Sequence, residues 1–244
     1  MSIYVGTSGW SYDHWHGVLY PHGIYPRERL SYYVQRFQTA ELNSSYYRWP
    51  ADSSFRSWRS RLPRGFFLSV KAPGLLTHVQ RLYQPERWIK RIQKRLLLLG
   101  DRLGVLLVQL SPLQVCDHAR LKYFLKQLSP EIRVCLEFRH PSWHQDSVFE
   151  LLEQHGTGYC VMSGAHLPCL LRATADFVYV RLHGPDTHHL YSGSYSDADL
   201  GWWAERILEW NGQRRDVFVY FNNDGEGNAV RNAETLNRMI SRQG

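Results

Sequence analysis

Cysteine is scarce in these 244 residues, and the four present (Cys116, Cys135, Cys160 and Cys169) include no Cys-x-x-Cys pair. Zinc-ribbon and thioredoxin-type chemistry therefore have no foothold. No purely aliphatic run exceeds four residues, as at Leu96–Leu99, whereas a membrane helix needs roughly 20 apolar residues. The N-terminus shows no basic stretch running into an apolar one, so no export signal is read there. With few cysteines, the expectation is reduced thiols, a cytoplasmic location and no membrane partner. Glycine (18) and proline (11) show neither excess nor period, which removes collagen-like and low-complexity architectures. No fixed repeat and no Pro/Ser-rich linker divides the chain, so a single domain over residues 1–244 is expected.

What is present suits a globular fold: 43% hydrophobic and 21% charged residues, close to ordinary proportions. The 29 basic and 22 acidic residues leave a net charge of +7, which favours anionic partners, whether phosphorylated metabolites, nucleic acid or acidic surfaces. Basic residues cluster at Arg56–Arg64 and Arg87–Arg95. The second cluster has helical spacing, for which a solvated helix face is the plainer account.

Eight short runs rich in β-branched and aromatic residues recur: Ile3–Gly6, Thr39–Asn43, Phe66–Lys71, Gly104–Gln109, Arg133–Arg139, Gly158–Met162, Phe177–His183 and Asp216–Asn222. Between most of them lies helical periodicity, over Arg27–Phe37, Ser53–Arg61, Pro85–Leu99, Asp117–Leu128, Ser147–His155, Asp197–Trp210 and Ala229–Arg242. Pro85 suits a first helical turn, and Asp117 and Asp197 suit N-caps. Ser163–Ala175 contains Pro168 and no helical period, so a loop is expected after the sixth strand. Alternating strands and helices imply parallel pairing with right-handed crossovers. The expected class is α/β, a single (β/α)8 TIM barrel, whose usual length is roughly 250 residues. The alternative is an open doubly wound sheet. It would carry a glycine-rich dinucleotide turn after the first strand, which Gly6-Thr7-Ser8-Gly9-Trp10 does not match.

In such barrels function collects where strands end, and residues two apart share a face. Here most strands turn polar at that end: Thr7 and Ser8; Glu41 and Asn43; Ser69 and Lys71; Gln109; Glu137 and Arg139; Arg181 and His183; Tyr220 and Asn222. The catalytic candidates are Glu41, Glu137, Lys71 and His183. The substrate-binding candidates are Ser8, Trp10, Asn43, Gln109, Arg139, Arg181, Tyr220 and Asn222. Lys71, Arg139 and Arg181 outnumber the two glutamates, and arginine forks match carboxylate or phosphate oxygens. An anionic small-molecule substrate is therefore expected, with nucleic acid as an alternative partner.

Other chemistries weigh less. Glu41 and Glu137 lie three strands apart and could face each other as acid and base. Lys71 is better read as an anion ligand than as a Schiff-base nucleophile. Asn222–Asn228 before the last helix offers glycines for a phosphate, but Asp224 and Glu226 oppose one. Glu41, Glu137 and His183, with His78 nearby, could ligate a cation. Three positive side chains would repel it and no metal-ligand spacing appears, so neither metal nor cofactor is expected. Loop aromatics (Trp10, Tyr12, Trp15, Tyr46, Tyr47, Trp49, Trp143, Tyr191 and Tyr195) suit either stacking or closure of the loops.

Several ordered motifs resemble one family along essentially the whole chain. They are Gly6-Thr7-Ser8-Gly9-Trp10-Ser11-Tyr12, Glu41-Leu42-Asn43-Ser44-Ser45-Tyr46-Tyr47, Phe67-Leu68-Ser69-Val70-Lys71 with Thr77-His78, Leu107-Val108-Gln109-Leu110, Glu137-Phe138-Arg139-His140-Pro141-Ser142-Trp143, Arg181-Leu182-His183-Gly184, Tyr191-Ser192-Gly193-Ser194-Tyr195-Ser196 and Tyr220-Phe221-Asn222-Asn223-Asp224. This pattern is similar to the domain of unknown function 72 (YecE-like) family. Cys135 and Leu136, ahead of Glu137, are the small departures. The resemblance implies a TIM barrel and supplies no activity. An enzyme acting on an anionic substrate is the leading expectation. A nucleic-acid-binding or -processing protein and a non-catalytic metabolite-binding barrel stand as alternatives. Reaction type and oligomeric state are not readable.

Overall fold

The computed structural model describes residues 1–243. Eight parallel strands follow one another in chain order around a closed barrel. They are β1 (Ile3–Ser8), β2 (Thr39–Leu42), β3 (Phe67–Lys71), β4 (Leu103–Gln109), β5 (Val134–Glu137), β6 (Gly158–Ser163), β7 (Phe177–Leu182) and β8 (Asp216–Phe221). Among the described residues seven α-helices alternate with them: α1 (Arg29–Tyr33), α2 (Asp52–Arg61), α3 (Glu86–Leu96), α4 (His118–Leu125), α5 (Asp146–Gln154), α6 (Asp197–Gly212) and α7 (Asn228–Gln243). The segment between β6 and β7 holds no helix, as its lost periodicity and Pro168 predict. The chain is an α/β (β/α)8 barrel. Its contacts group it into two compact units. One comprises Met1–Glu41, Val161–Leu171 and the chain from Asp176 onward; the other comprises Leu42–Cys160 and Arg172–Ala175.

In the first unit β1 pairs with β8 from Ile3↔Val217 to Thr7↔Phe221, and with β2 at Ser8↔Glu41. Gly6 permits the approach of β2: a Cβ there would sit 2.2 Å from the Thr39 carbonyl oxygen. The same place is pinned by Tyr33, fully buried, whose hydroxyl accepts from the Thr7 N–H at 2.9 Å and donates to the Thr39 carbonyl at 3.0 Å. Val5, Val217, Val219, Ile207, Ala233 and Leu236 are buried between strands and helices. Helix α1 is shorter than its sequence pattern, because after Tyr33 the chain tightens into turns that end at Phe37. Helix α6 starts with a reciprocal cap on Ser196, not Asp197: the Ser196 hydroxyl accepts from the Asp199 N–H at 3.1 Å, and the Asp199 carboxylate accepts from the Ser196 N–H at 3.0 Å.

In the second unit β3, β4 and β5 pair in register at Lys71↔Leu107 and Gln109↔Glu137, which brings three polar strand ends side by side. Leu76, Ile89, Ile92, Leu106, Phe124 and Val134 fill the layer between strands and helices, leaving about 10 Å³ of void. Asp117 caps α4, accepting from the Arg120 N–H at 2.9 Å. Pro85 lies immediately before α3. Several strands are shorter than their apolar runs. β2 ends at Leu42 because Asn43 already has helical dihedrals and heads the 3₁₀ turn Ser44–Tyr46. β5 ends at Glu137, leaving Phe138 and Arg139 beyond it.

Candidate functional site

Three adjacent strand ends of the second unit build one polar cluster. Glu137 closes β5 with no exposed surface. Its Oε1 accepts from the Gln109 amide at 2.7 Å and from the Arg139 Nε–H. The Cys160 thiol lies 3.9 Å from its other oxygen. A buried carboxylate so placed fixes the orientation of an arginine whose side chain keeps 10% of its surface exposed. Lys71, half-buried at the end of β3, holds its ammonium 4.6 Å from the centre of the Tyr46 ring, a cation–π contact. The Ser45 hydroxyl ties the next loop to this strand end by donating to the Lys71 carbonyl at 2.6 Å.

His78 belongs to the same cluster. It sits on the irregular turn Leu75–Val79, edge-on to Tyr46 with ring centres 5.0 Å apart, and the Thr77 hydroxyl is 2.9 Å from its Nδ1. Burial lowers its pKa, the positive charges of Lys71 and Arg139 lower it further, and the Glu137 carboxylate opposes them. The imidazole is therefore neutral at pH 7. Sequence reasoning noted His78 as a loop residue that could ligate a metal and as part of the Thr77-His78 motif of the family resemblance, and did not place it among the catalytic candidates. Its signal was the Thr77-His78 pair following a cationic strand end.

The first unit holds a second buried group of charges. Glu41 on β2 accepts from Arg181 Nη2 on β7 at 2.8 Å, from the Ser8 hydroxyl on β1 and, at its other oxygen, from the Tyr179 hydroxyl at 2.6 Å. Arg181 also reaches the Ser8 hydroxyl at 3.3 Å. Arg181 and Glu41 are essentially without exposed surface. Burial, seconded by the Glu41 charge, pushes the Tyr179 phenol far up, so it remains a donor. Tyr179 was not singled out in the sequence; it lies two residues before Arg181 on the same face. Tyr220 stacks obliquely on Tyr179, ring centres 5.0 Å apart, and shares a 2.6 Å hydrogen bond with the Thr39 hydroxyl.

Further along this unit, His183 is buried just past β7, with Nδ1 3.2 Å from the Asn222 amide and its N–H donating to the Ser163 carbonyl at 2.7 Å. Gly184 follows with φ of 106°, and a Cβ there would fall 2.0 Å from the Ser192 carbonyl oxygen. Trp10 and Asn43 are half-buried beyond their strands. The Trp10 carbonyl accepts from the Tyr20 hydroxyl, and the Asn43 carbonyl accepts from the Tyr46 N–H at 3.0 Å. Asp224 accepts from the Trp15 indole at 2.7 Å and pairs with His14 at 3.1 Å. It is thus occupied in tying the first and last loops together. Trp15, Trp49, Trp143 and Tyr195 are buried, whereas Tyr47 and Tyr191 are exposed, so the aromatics divide between closure and free surface. Among the described residues no three His, Cys, Asp or Glu side chains gather as a metal-holding group, and no helix is long and apolar enough to cross a membrane.

The family described as Protein of unknown function DUF72 matches residues 4–244. The UPF0759 protein YunF of Bacillus subtilis (strain 168) is 27% identical, over 98% of this chain and 94% of that protein. A DUF72 family protein from Thermotoga maritima MSB8 superposes with a TM-score of 0.88 at 29% identity, over 99% of this chain and 100% of that one. A second DUF72 structure, from Enterococcus faecalis V583, superposes with a TM-score of 0.82 at 19% identity, over 98% and 95% of the two chains, which speaks to the fold alone.

Proposed function

The chain belongs to the DUF72 family of proteins of unknown function, and from that premise we propose that it is a cytoplasmic enzyme acting on an anionic, phosphate- or carboxylate-bearing small molecule. The observation that carries this reading is the cluster itself: the His78 imidazole and the Lys71 ammonium packed on the same Tyr46 ring, beside the Arg139–Glu137 pair, with the His78 pKa lowered by burial and by the two cations. Two cations against one carboxylate leave positive charge for a ligand anion, and a neutral imidazole beside it is a proton acceptor at pH 7. Lys71 and Arg139 clamp the anion, Glu137 and Gln109 orient Arg139, and His78 moves the proton. Glu137 is a positioning group in this scheme, because its Oε1 already accepts from both Gln109 and Arg139. An arriving anion also offsets the two cations and raises the basicity of His78, so substrate binding strengthens the base. The cytoplasmic assignment rests on the four cysteines being thiols.

A thermal-shift panel of sugar phosphates, nucleotides and carboxylates tests the reading. Ligand at about 100 times Kd adds about 2.7 kcal/mol, a rise on the order of 5–10 °C for a chain of this size. Stabilisation by one anion class, abolished in Lys71→Ala and Arg139→Ala, is the expected result. With the substrate in hand, His78→Gln retains the shift and loses turnover. The acid limb of kcat/KM falls below the ordinary imidazole value near 6.5, because only neutral His78 accepts a proton and its pKa is depressed. A shift that survives both cation deletions refutes the site. Binding without turnover under any condition favours the metabolite-binding alternative.

A further inference from the structure

The outer flank of α2 carries features that this site does not use. Two open grooves border the helix, of about 760 Å³ and 480 Å³. The larger lies between the loop after β2, α2 and α3. Tyr47, Trp58 and Trp88 line it together with Arg48, Arg91 and Arg95, and no acidic side chain does. The smaller takes Arg56 and Arg59 from α2, Arg64 from the loop beyond and Arg102 from before β4, against the single acid Asp101. The nearby carboxylates are already engaged: Asp52 with Arg95 at 2.6 Å, and Asp101 with Arg102. Arg48, Arg56, Arg59, Arg64 and Arg91 form no ion pair among the described residues. The ridge of α2 between the grooves exposes Ser53, Ser57 and Arg61, and the two carboxylates at its margins, Asp52 and Asp101, are each paired with an arginine.

The aromatics decide which anion this surface suits. Tyr47 is 87% exposed, with its ring standing edge-on to Tyr46, centres 5.1 Å apart. Trp88 is half-buried with the Arg91 guanidinium 5.2 Å from its ring centre. A compact phosphate would use the arginines and leave these rings idle. A neutral sugar would use the rings and leave unpaired arginines beside it. A chain that alternates charged phosphates with flat bases uses both, and stacking requires the bases to be unpaired. We propose that the α2 flank binds single-stranded nucleic acid, phosphates on the arginines and bases on Tyr47 and Trp88. Sequence is not read, since both contacts are indifferent to base identity. This inference stands apart from the proposed reaction and survives its failure.

Fluorescence anisotropy of labelled dT12 and U12 with the full chain at 50 mM salt tests it. Binding is expected to prefer single strands to a duplex of equal length. Tyr47→Ala weakens it by at least about fivefold while Tyr47→Phe retains it. In Arg48→Ala/Arg91→Ala the slope of log K against log salt becomes shallower by about 1.4. Arg87→Ala, exposed on α3 outside both grooves, changes little, and Lys71→Ala and Arg139→Ala bind as the parent does. No binding at 50 mM salt, equal affinity for duplex, or indifference to Tyr47 and the arginine pair overturns the proposal. So does a doubled solution mass that reverts in Tyr47→Ala, since a second copy would then occupy the flank.

Discussion

At the scale of single residues, the two buried carboxylates at strand ends are each met by several donors. Glu41 accepts from Ser8, Tyr179 and Arg181, and such a carboxylate holds its neighbours in place and has little left to offer a substrate proton. Removing its charge leaves Arg181 buried without its counter-ion. Glu41→Gln is therefore expected to lower stability by about 3–5 kcal/mol, read as a fall in the urea midpoint at unchanged m-value. Residue types and faces at this scale were legible in the sequence. Period-two alternation grouped Glu137 with Arg139 and led to Glu41, Arg181 and Gln109. It could not rank them, because ranking depends on how many donors meet each oxygen. His78 was noted without a catalytic role for the complementary reason: its lowered pKa comes from burial and from two cations, only one of them near it in the chain.

At the scale of elements, apolar periodicity located the eight strands and seven α-helices of the described residues, and the differences lie at the ends. β2 and β5 stop short because Asn43 and Phe138 belong to the turn that follows, a choice made by backbone dihedrals and not by hydrophobicity. Period-two arguments lose force beyond such points. The start of α6 moved by one residue for a similar reason. Ser196 and Asp199 satisfy each other's N–H groups, which a cap on Asp197 would not. Ser196→Ala is expected to cost about 0.5–2 kcal/mol, measured by thermal unfolding, with Ser196→Thr recovering most of it.

At the scale of the whole molecule, the cysteines supply a reporter of global opening. Cys135 and Cys160 are fully buried on β5 and β6, Cys116 is half-buried and Cys169 is exposed. Under native conditions a thiol reagent should label Cys169 first and Cys116 next. Cys135 and Cys160 should react only at the rate of unfolding, and in denaturant all four should titrate. Rapid native labelling of Cys135 would mean that β5 opens locally. The strongly basic balance reads differently once it is mapped: Arg56, Arg59, Arg64, Arg91 and Arg95 of the two basic runs border the grooves beside α2, next to carboxylates that are already paired.

The amino-acid sequence by itself determined the class of this protein. Alternating apolar runs and helical periods, with a gap in the pattern after the sixth strand, admit few architectures, and those patterns are local. It also determined which polar residues stand at strand ends, since that needs only position and parity. Tertiary structure decided which partners each of them meets. Hydrogen bonds to Glu41 come from residues 33 and more positions away, and the depressed basicity of His78 depends on Arg139 as well as on Lys71. Whether Arg48 and Arg91 solvate a helix or border a groove beside Tyr47 depends on how α2 and α3 pack. Such properties arise from groups that meet only when the chain is folded, and no local pattern encodes them.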